Sequence, residues 1–248
     1  MTVLRVANWN VYDREADARR IVDFVRTADA DAVALQELTP AHLEALRQDG
    51  GYHIAEAEDF ADGDTTSYLA LLTREPAGDV RRVTHNTAGA LSPSLVGRFM
   101  RWRECLQSLS LNVRVGDATV RVVNLHLTCA TPPVRRVREL GALDSHLVPG
   151  PLVVCGDFNS FARPRLNPLI GWAFGFGWRD YRADDLAQVA EFAARHGLTS
   201  VFESAVTLPR LGLALDHMLV RDLSCRAREI VRDRRGSDHR PLIADLVL

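Results

Sequence analysis

The decisive stretch of this sequence is Pro151-Leu152-Val153-Val154-Cys155-Gly156-Asp157-Phe158-Asn159, an apolar run that ends in a carboxylate and an amide. A second stretch, Gly236-Ser237-Asp238-His239, comes just before the apolar run at 242–248. Short apolar runs rich in β-branched residues predict buried strands, so both stretches place hard polar groups at a strand end. A buried carboxylate is costly unless its charge is compensated. A cation beside a histidine supplies that compensation, and the pairing is typical of hydrolytic sites.

The composition is that of an ordinary globular protein. Of 248 residues, 47% are hydrophobic and 25% are charged, which favours a single domain at 1–248. The net charge of -2 excludes a polybasic protein, so any contact with nucleic acid would be local. All 30 basic residues are arginine, which excludes a lysine nucleophile, a Schiff-base lysine and a P-loop lysine.

Cysteine spacing and hydropathy suggest a cytoplasmic protein. The four cysteines, at 105, 129, 155 and 225, form no CxxC pair, and we expect them to be reduced. No secretory signal precedes the first strand, and no apolar run approaches the ~18 residues of a membrane span. We therefore expect no transmembrane segment, and we expect a monomer.

Capping residues and apolar periodicity predict four helices between many short strands. The helices begin at Asp13, Pro40, Pro133 and Asp184, and end near Ala28, before Gly50, near Leu147 and at Gly197. The strands are expected at 3–11, 31–35, 52–57, 66–73, 79–85, 104–115, 118–127, 151–155, 211–220, 227–232 and 241–248. This pattern favours two mixed sheets packed face to face with helices outside.

Polar clusters recur at the ends of these strands. They are Asn8-Trp9-Asn10, Gln36-Glu37, Asn124 with His126, Asp157 with Asn159, Asp216-His217 and Asp238-His239. If the acids gathered, each close pair would cost about 4 kcal/mol at 4 Å and an effective dielectric of 20. A divalent cation removes that cost, and carboxylate and amide oxygens favour Mg²⁺, with Mn²⁺ as the alternative, over zinc.

These motifs, in this order along the chain, resemble the endonuclease/exonuclease/phosphatase superfamily. Its members include DNase I-like nucleases, abasic-site endonucleases, neutral sphingomyelinases and inositol polyphosphate 5-phosphatases. The Gly-Asp-Phe-Asn and Gly-Ser-Asp-His elements carry most of the resemblance. It implies a four-layer α/β/β/α sandwich with the site at one end of the two sheets. It also implies magnesium-dependent hydrolysis of a phosphate ester.

The resemblance also implies roles for individual residues. The metal site would comprise Glu37, Asn10 and Asp238. The catalytic residues would be Asp157, Asn159, His239, His126 and Asp216. Asp157 would orient or deprotonate the attacking water, and Asn159 would hydrogen-bond the phosphate. His239, oriented by Asp216, would contact the phosphate, and His126 would stabilise the reacting phosphorus or the leaving oxygen.

Substrate contacts are expected from Arg98, Arg101, Arg103 and Asn124. Arginine is a natural phosphate clamp, and the resemblance implies substrate-binding groups just before the strand that follows Arg103. The helical arginines at 135, 136 and 138 are instead expected on a solvated face. The aromatic segment at 171–178 fits a lip that stacks on bases, an apolar tongue that touches lipid, or a segment packed on the core.

The substrate is left open by the sequence. Nucleic acid, a phospholipid or inositol phosphate, and a nucleotide all fit. A DNA or RNA endonuclease or exonuclease is the leading alternative within the class, and a catalytically silent binding module on the same fold is the alternative from another class. Tyr12 stands where abasic-site endonucleases of the superfamily carry an acid, and Cys129 where they carry asparagine. Both differences argue against abasic-site cleavage.

Overall fold

The computed structural model describes residues 2–12, 17–62, 65–203 and 205–248. Within these ranges the helices are α1 (Ala18–Ala28), α2 (Pro40–Asp49), α3 (Leu95–Met100), α4 (Pro133–Ala142), α5 (Asn167–Phe174) and α6 (Asp185–Arg195). The strands are β1 (Val3–Asn10), β2 (Ala32–Leu38), β3 (His53–Asp62), β4 (Thr65–Thr73), β5 (Gly78–Thr84), β6 (Gln107–Val115), β7 (Ala118–His126), β8 (Leu152–Asp157), β9 (Thr199–Ser200), β10 (Asp216–Arg221), β11 (Ser224–Ile230) and β12 (Leu242–Val247). None of the helices in the described ranges combines the length and apolar character that a bilayer span requires.

The strands form two six-stranded mixed sheets. The first has the order β11-β12-β1-β2-β4-β3, and the second has the order β5-β6-β7-β8-β10-β9. One neighbouring pair in each sheet is parallel, β1 with β2 and β7 with β8, and the other described pairs are antiparallel. The prediction of two mixed, mainly antiparallel sheets is confirmed.

Three apolar layers hold the sheets and helices together. Side chains such as Val6 and Val153 fill the space between the two sheets. On the outer face of the first sheet, Phe24 of α1 belongs to a second core cluster, and on the outer face of the second sheet Leu140 and Phe192 of α4 and α6 belong to a third. Burial of both faces of each sheet explains the nearly continuous apolar strands and confirms the four-layer α/β/β/α prediction.

The predicted helix boundaries hold where a local cap decides them. Helix α2 ends at Gly50, which adopts φ 69°, and the Asp184 side chain accepts a hydrogen bond from Leu186 N at the start of α6. Helix α1 is capped by Asp17, whereas the predicted cap Asp13 lies outside the described residues.

Three predictions of secondary structure are wrong. The segment at 211–220 is a strand only from Asp216, because Leu208 and Leu213 pair across a turn. The helix begun at Pro133 leaves α geometry after Ala142 and continues as a 3-10 turn. Helices α3 and α5 lie where no helix was predicted, since each is shorter than the periodicity needed to recognise it.

Strand register brings the polar strand ends to one edge of the sandwich. In the parallel pairs, Asn10 lies beside Gln36, and His126 lies beside Asp157. Asp216 in turn pairs with Asp157 across the antiparallel β8 and β10. Because parallel strands end at the same edge, residues far apart in sequence meet there.

Gly156 lies in β8 directly before Asp157. It adopts φ 145°, and a Cβ at this position would lie 1.9 Å from the carbonyl oxygen of Leu125. The two parallel strands approach so closely that only glycine fits beside this carbonyl.

We expect Gly156→Ala to lower the free energy of unfolding by at least about 3 kcal/mol, because the new methyl group meets fixed backbone in a strained conformation. Urea unfolding followed by circular dichroism measures the change. Gly212→Ala is the control, since Gly212 has φ 66° but nothing within 4 Å of the added Cβ, and should cost about 1 kcal/mol. Equal losses in the two variants would contradict this account of Gly156.

Candidate active site

The Asp157 carboxylate lies at the centre of the polar edge. It is 1% exposed, and both of its oxygens accept hydrogen bonds. Oδ1 accepts from the backbone N–H of Asn159 at 2.8 Å, and Oδ2 accepts from Asn10 Nδ2 at 2.9 Å. These bonds hold the carboxylate in one orientation.

His126 approaches Asp157 from one side. Its Nδ1 donates to Asp59 Oδ2 at 2.8 Å, and its Nε2 lies 3.8 Å from Asp157 Oδ2 and 3.7 Å from Glu37 Oε1. Burial opposes the charged ring, but the Asp59 carboxylate more than offsets this and raises the pKa of His126 well above its usual range. A cationic ring therefore faces the space between two carboxylates.

His239 approaches Asp157 from another side and has the same arrangement. Its Nδ1 donates to Asp216 Oδ2 at 2.7 Å, and its Nε2 lies 3.8 Å from Asp157 Oδ2 and 3.8 Å from Asp238 Oδ1. Burial lowers the pKa of His239, but Asp216 and Asp157 outweigh it, and the pKa is raised to about 10. Two imidazole–carboxylate pairs thus present their free nitrogens to one carboxylate, at distances too long for a direct hydrogen bond.

Glu37 closes the site from the first sheet. It has φ 60° and lies where the pairing of β2 with β4 shifts register between Leu35 and Leu38. Such a bulge turns a side chain away from the regular alternation of a strand. Asn10 Nδ2 donates to Glu37 Oε1 at 2.9 Å as well as to Asp157 Oδ2, so the amide bridges the two carboxylates. Asn10 Oδ1 accepts from Tyr12 N.

The grouped donors can hold a metal ion. Among the described residues, three sets have donor atoms within 4.8 Å of one another: Glu37 with His126 and Asp157, Asp157 with Asp216 and His239, and Asp59 with Cys105 and His126. The first two share Asp157 and meet at the polar edge. In the third, His126 already donates to Asp59, and burial raises the pKa of Cys105, so that its thiol stays protonated.

Loops after the strands are fixed by side-chain hydrogen bonds. Ser237 Oγ donates to Asn10 O and accepts from His239 N, which ties the last loop to β1. Thr207 Oγ1 accepts from the backbone N–H of Asp216. Asn159 has φ 47° and donates Nδ2 to Leu127 O, so it connects the loops after β7 and β8.

Asn124 was predicted to contact the substrate, and the structure contradicts this prediction. It is fully buried, and its Nδ2 donates to Leu35 O and Ala70 O in the other sheet while its Oδ1 accepts from Gln36. Its amide hydrogens are both used, so this residue bridges the sheets and has none left for a substrate. The other predicted substrate contacts, Arg98, Arg101 and Arg103, lie on or just after α3: the first two are exposed, and Arg103 donates to Gly89 O.

The prediction for Arg136 is also wrong. It was expected on a solvated helix face, but it is fully buried and lies 3.2 Å from Asp185 Oδ2. Its Nη1 donates to Thr128 O and to Phe158 O, which lie in the two loops beside Asp157. A buried ion pair therefore joins α4 and α6 to the loops of the site.

Asp59 was missed by the sequence analysis. It is fully buried in β3 and is the partner of His126, but it lies in the acidic stretch Glu56-Ala57-Glu58-Asp59, beyond the predicted strand end at 57. Ala57 and Asp59 alternate onto the buried face of the strand, and this alternation is the local signal that could have identified Asp59. It was missed because the strand was predicted to end at 57.

The sequence matches the Endonuclease/Exonuclease/phosphatase family over residues 7–239, and the chain belongs to this family. The match covers all the strand-end clusters assembled at the polar edge. The resemblance noted from the sequence motifs is therefore confirmed.

Known relatives are distant in sequence. A UPF0294 protein from Erwinia tasmaniensis is 26% identical over 155 residues, which are 59% of this chain and 50% of that protein. The chain thus spans about half the length of the curated relative it matches. An endonuclease/exonuclease/phosphatase structure from Beutenbergia cavernae is 20% identical, with a TM-score of 0.73 over 100% of this chain and 72% of that one. Zebrafish (D. rerio) TDP2, solved with a single-strand DNA product, is 15% identical, with a TM-score of 0.72 over 100% of both chains. At these identities the structural likeness establishes the fold.

We expect Asp59→Asn to lower the pKa of His126 and leave His239 unchanged, because only His126 loses its anionic partner. Asp216→Asn should do the reverse, so each variant is the control for the other. NMR titration of the histidine ring signals in EDTA measures both. A pKa of His126 unaffected by Asp59→Asn would show that the pair does not set the charge of the ring.

Proposed function

We propose that this protein is a divalent-metal-dependent phosphoesterase that hydrolyses a phosphate ester by direct attack of water. One observation carries the proposal. The Nε2 atoms of His126 and His239 both lie 3.8 Å from Asp157 Oδ2, and each ring is held from behind by its own carboxylate. Two cationic donors facing one fixed carboxylate can surround a phosphoryl group and its water.

The donor set fits Mg²⁺ or Mn²⁺. Glu37 and Asp157 offer carboxylate oxygens, and Asp238 Oδ1 is buried with no hydrogen-bond donor among the described residues. These three residues would hold the ion. Asn10 was expected to bind it too, but the present orientation turns its nitrogen to the carboxylates, so we assign it to positioning them. When bound, the ion neutralises phosphate oxygens and lowers the pKa of water.

Asp157 is proposed to orient the attacking water and accept its proton. Its Oδ1 accepts from Asn159 N and its Oδ2 from Asn10 Nδ2, and the remaining lone pair of Oδ2 is proposed to accept from the water. Asn159 Nδ2 uses one hydrogen for Leu127 O, and its second is available to a phosphate oxygen. No protein nucleophile is required.

The two histidines have complementary tasks in this proposal. His239, held by Asp216, donates from Nε2 to a phosphate oxygen and stabilises charge as it develops. His126, held by Asp59, donates to the reacting phosphoryl group or to the leaving oxygen. Asp59 and Asp216 are positioning residues, since each acts through its histidine.

The proposal extends to the oligomeric state and the cellular compartment of the protein. We also propose a monomeric enzyme with a single catalytic domain at 1–248. The four cysteines are free thiols, which supports a reducing, cytoplasmic compartment. The complete set of acids and histidines weighs against a catalytically silent module on the same fold.

We expect Asp157→Ala and His239→Ala each to lower kcat by at least ~10²–10⁴, the range for losing one acid–base group. Hydrolysis of bis-p-nitrophenyl phosphate with Mg²⁺ measures the loss. Asp144→Ala and His53→Ala are matched controls at exposed positions and should retain wild-type turnover. Near-normal turnover by folded Asp157→Ala would refute its assignment.

We expect EDTA to abolish hydrolysis and Mg²⁺ or Mn²⁺ to restore it. Glu37→Gln should weaken Mn²⁺ binding by at least about tenfold in calorimetry without substrate, because one anionic ligand is lost. Single-stranded DNA, RNA, phospholipid vesicles, inositol phosphates, nucleotides and p-nitrophenyl phosphate form the substrate panel. Turnover that survives chelation would refute the metal site.

A further inference from the structure

A cluster of large apolar side chains is exposed beside the candidate active site. Phe99 and Trp178 are 86% and 88% exposed, and Leu169 and Trp172 are 70% and 65% exposed. With Leu95 and Met100, which are 59% and 46% exposed, they form what we call the apolar rim. Such clusters are uncommon on monomeric proteins and mark interaction surfaces.

The rim is carried by two helices in contact and, at Trp178, by the turn that follows α5. Helix α3 packs against α5, and a Cβ on Gly175, at the end of α5, would lie 3.7 Å from Ser94 Cα at the start of α3. On α3, Leu95 and Phe99 are four residues apart and share one face, and on α5 Leu169 and Trp172 are three apart and share another. The inner face of α5 packs instead through Phe174, whose ring lies 6.0 Å from that of Phe161.

Strand register places the rim at the edge that holds the candidate site. Thr84 pairs with Gln107, and Leu109 pairs with Asn124, so the segment between β5 and β6 leaves the sheet at the level of His126. The segment that contains α5 follows directly after Asp157 at the end of β8. Both helices of the rim therefore flank the opening between the sheets.

Basic side chains surround the rim. Residues 86–103 and 158–179 contain no aspartate or glutamate, although the whole chain has a net charge of -2. Arg98 and Arg101 on or after α3, and Arg165 and Arg179 around α5, are exposed. Asp180 follows directly and its Oδ2 accepts from Gly177 N beside Trp178, so the four exposed arginines leave the rim with an excess of positive charge. This excess complements an anionic apolar phase.

Chemistry at the rim favours a lipid bilayer over nucleic acid. Leucine and methionine side chains gain nothing by base stacking, but they enter the boundary between headgroups and acyl chains readily. The Trp172 indole N–H already donates to Leu169 O, so its ring offers an apolar surface rather than a hydrogen-bond donor. Tryptophan with arginine is the pairing typical of membrane–water interfaces.

We propose that the apolar rim docks the protein on membranes that contain anionic lipid, so that a lipid phosphate ester reaches the candidate site. The docking surface stands on the exposed residues and their charge. Only the identification of the lipid phosphate as substrate rests on the proposed function. The aromatic segment at 171–178 is, on this proposal, part of an interfacial surface.

Vesicle sedimentation in EDTA tests docking without turnover. Wild-type protein should bind phosphatidylcholine vesicles containing about 30 mol% phosphatidylserine, with a blue shift of tryptophan emission, and should bind pure phosphatidylcholine less tightly. The double variant Phe99→Ser with Trp178→Ser should lose at least about tenfold in vesicle affinity. Arg98→Gln with Arg101→Gln should reduce the preference for anionic vesicles.

The control is Val80→Ser with Leu248→Ser, which removes apolar side chains of 40% and 42% exposure outside the rim and should bind as wild type. Circular dichroism melting checks that every variant is folded. Absence of wild-type binding to anionic vesicles, or equal binding by the Phe99 and Trp178 variant, overturns the proposal. A wild-type dimer that this variant dissociates would assign the rim to a second copy, and loss of oligonucleotide binding alone would assign it to nucleic acid; both overturn it.

Hydrolysis of bis-p-nitrophenyl phosphate with Mg²⁺, measured separately, keeps the two proposals apart. Vesicle binding without hydrolysis would leave docking intact and refute the proposed function. Hydrolysis of this compound without vesicle binding would refute docking and leave the proposed function intact.

Discussion

The buried negative charge of Asp157 is the constraint on which the rest of this edge depends. Glu37 and Asp216 bring two more carboxylates within 4.8 Å of it, and a pair of like charges at 4 Å costs about 4 kcal/mol at an effective dielectric of 20. Within the protein the compensation is a network in which each anion meets a donor: Asn10 bridges Glu37 and Asp157, and the two histidines are each held by one acid while facing another. Removing a single member of such a network leaves a buried charge without its partner.

The two packed sheets bring carboxylates from different sheets together at this edge. Glu37 reaches the site from the first sheet and Asp157 from the second, and the contact between sheets is itself partly polar, because Gln36 and Asn124 join across it. Local backbone departures complete the arrangement. The bulge at Glu37 and the close approach at Gly156 each turn a side chain in a direction that a regular strand does not allow.

The candidate catalytic residues and the apolar rim lie in different parts of the same edge. The acids and histidines lie at strand ends and in tight loops, where several hydrogen bonds hold each of them. The apolar rim lies on two short helices and the turn at Trp178, within the longer connections after β5 and β8. On the two proposals made above, the polar centre would stay fixed while these connections select the substrate.

Local signals determined much of the fold in advance. Several features were predicted from a few neighbouring residues, because capping, turn and pleat geometry act over short distances. They are the helix starts at Pro40 and Asp184, the alternation in the strand that ends at His126, and the Gly-Asp-Phe-Asn element. Together with the motif order, they were sufficient for the sandwich and for most of the strand-end acids and histidines.

Tertiary structure alone decided which of several similar residues became part of the site. Asp59, one of three neighbouring acids, became the partner of His126 through burial in β3; Asn124 became a bridge between sheets; and Arg136 was buried against Asp185. The exposure of Phe99 and Trp172 likewise follows from how α3 and α5 pack. Each outcome depends on residues tens of positions away. The sequence next to a side chain does not indicate which distant group will neutralise, bury or expose it.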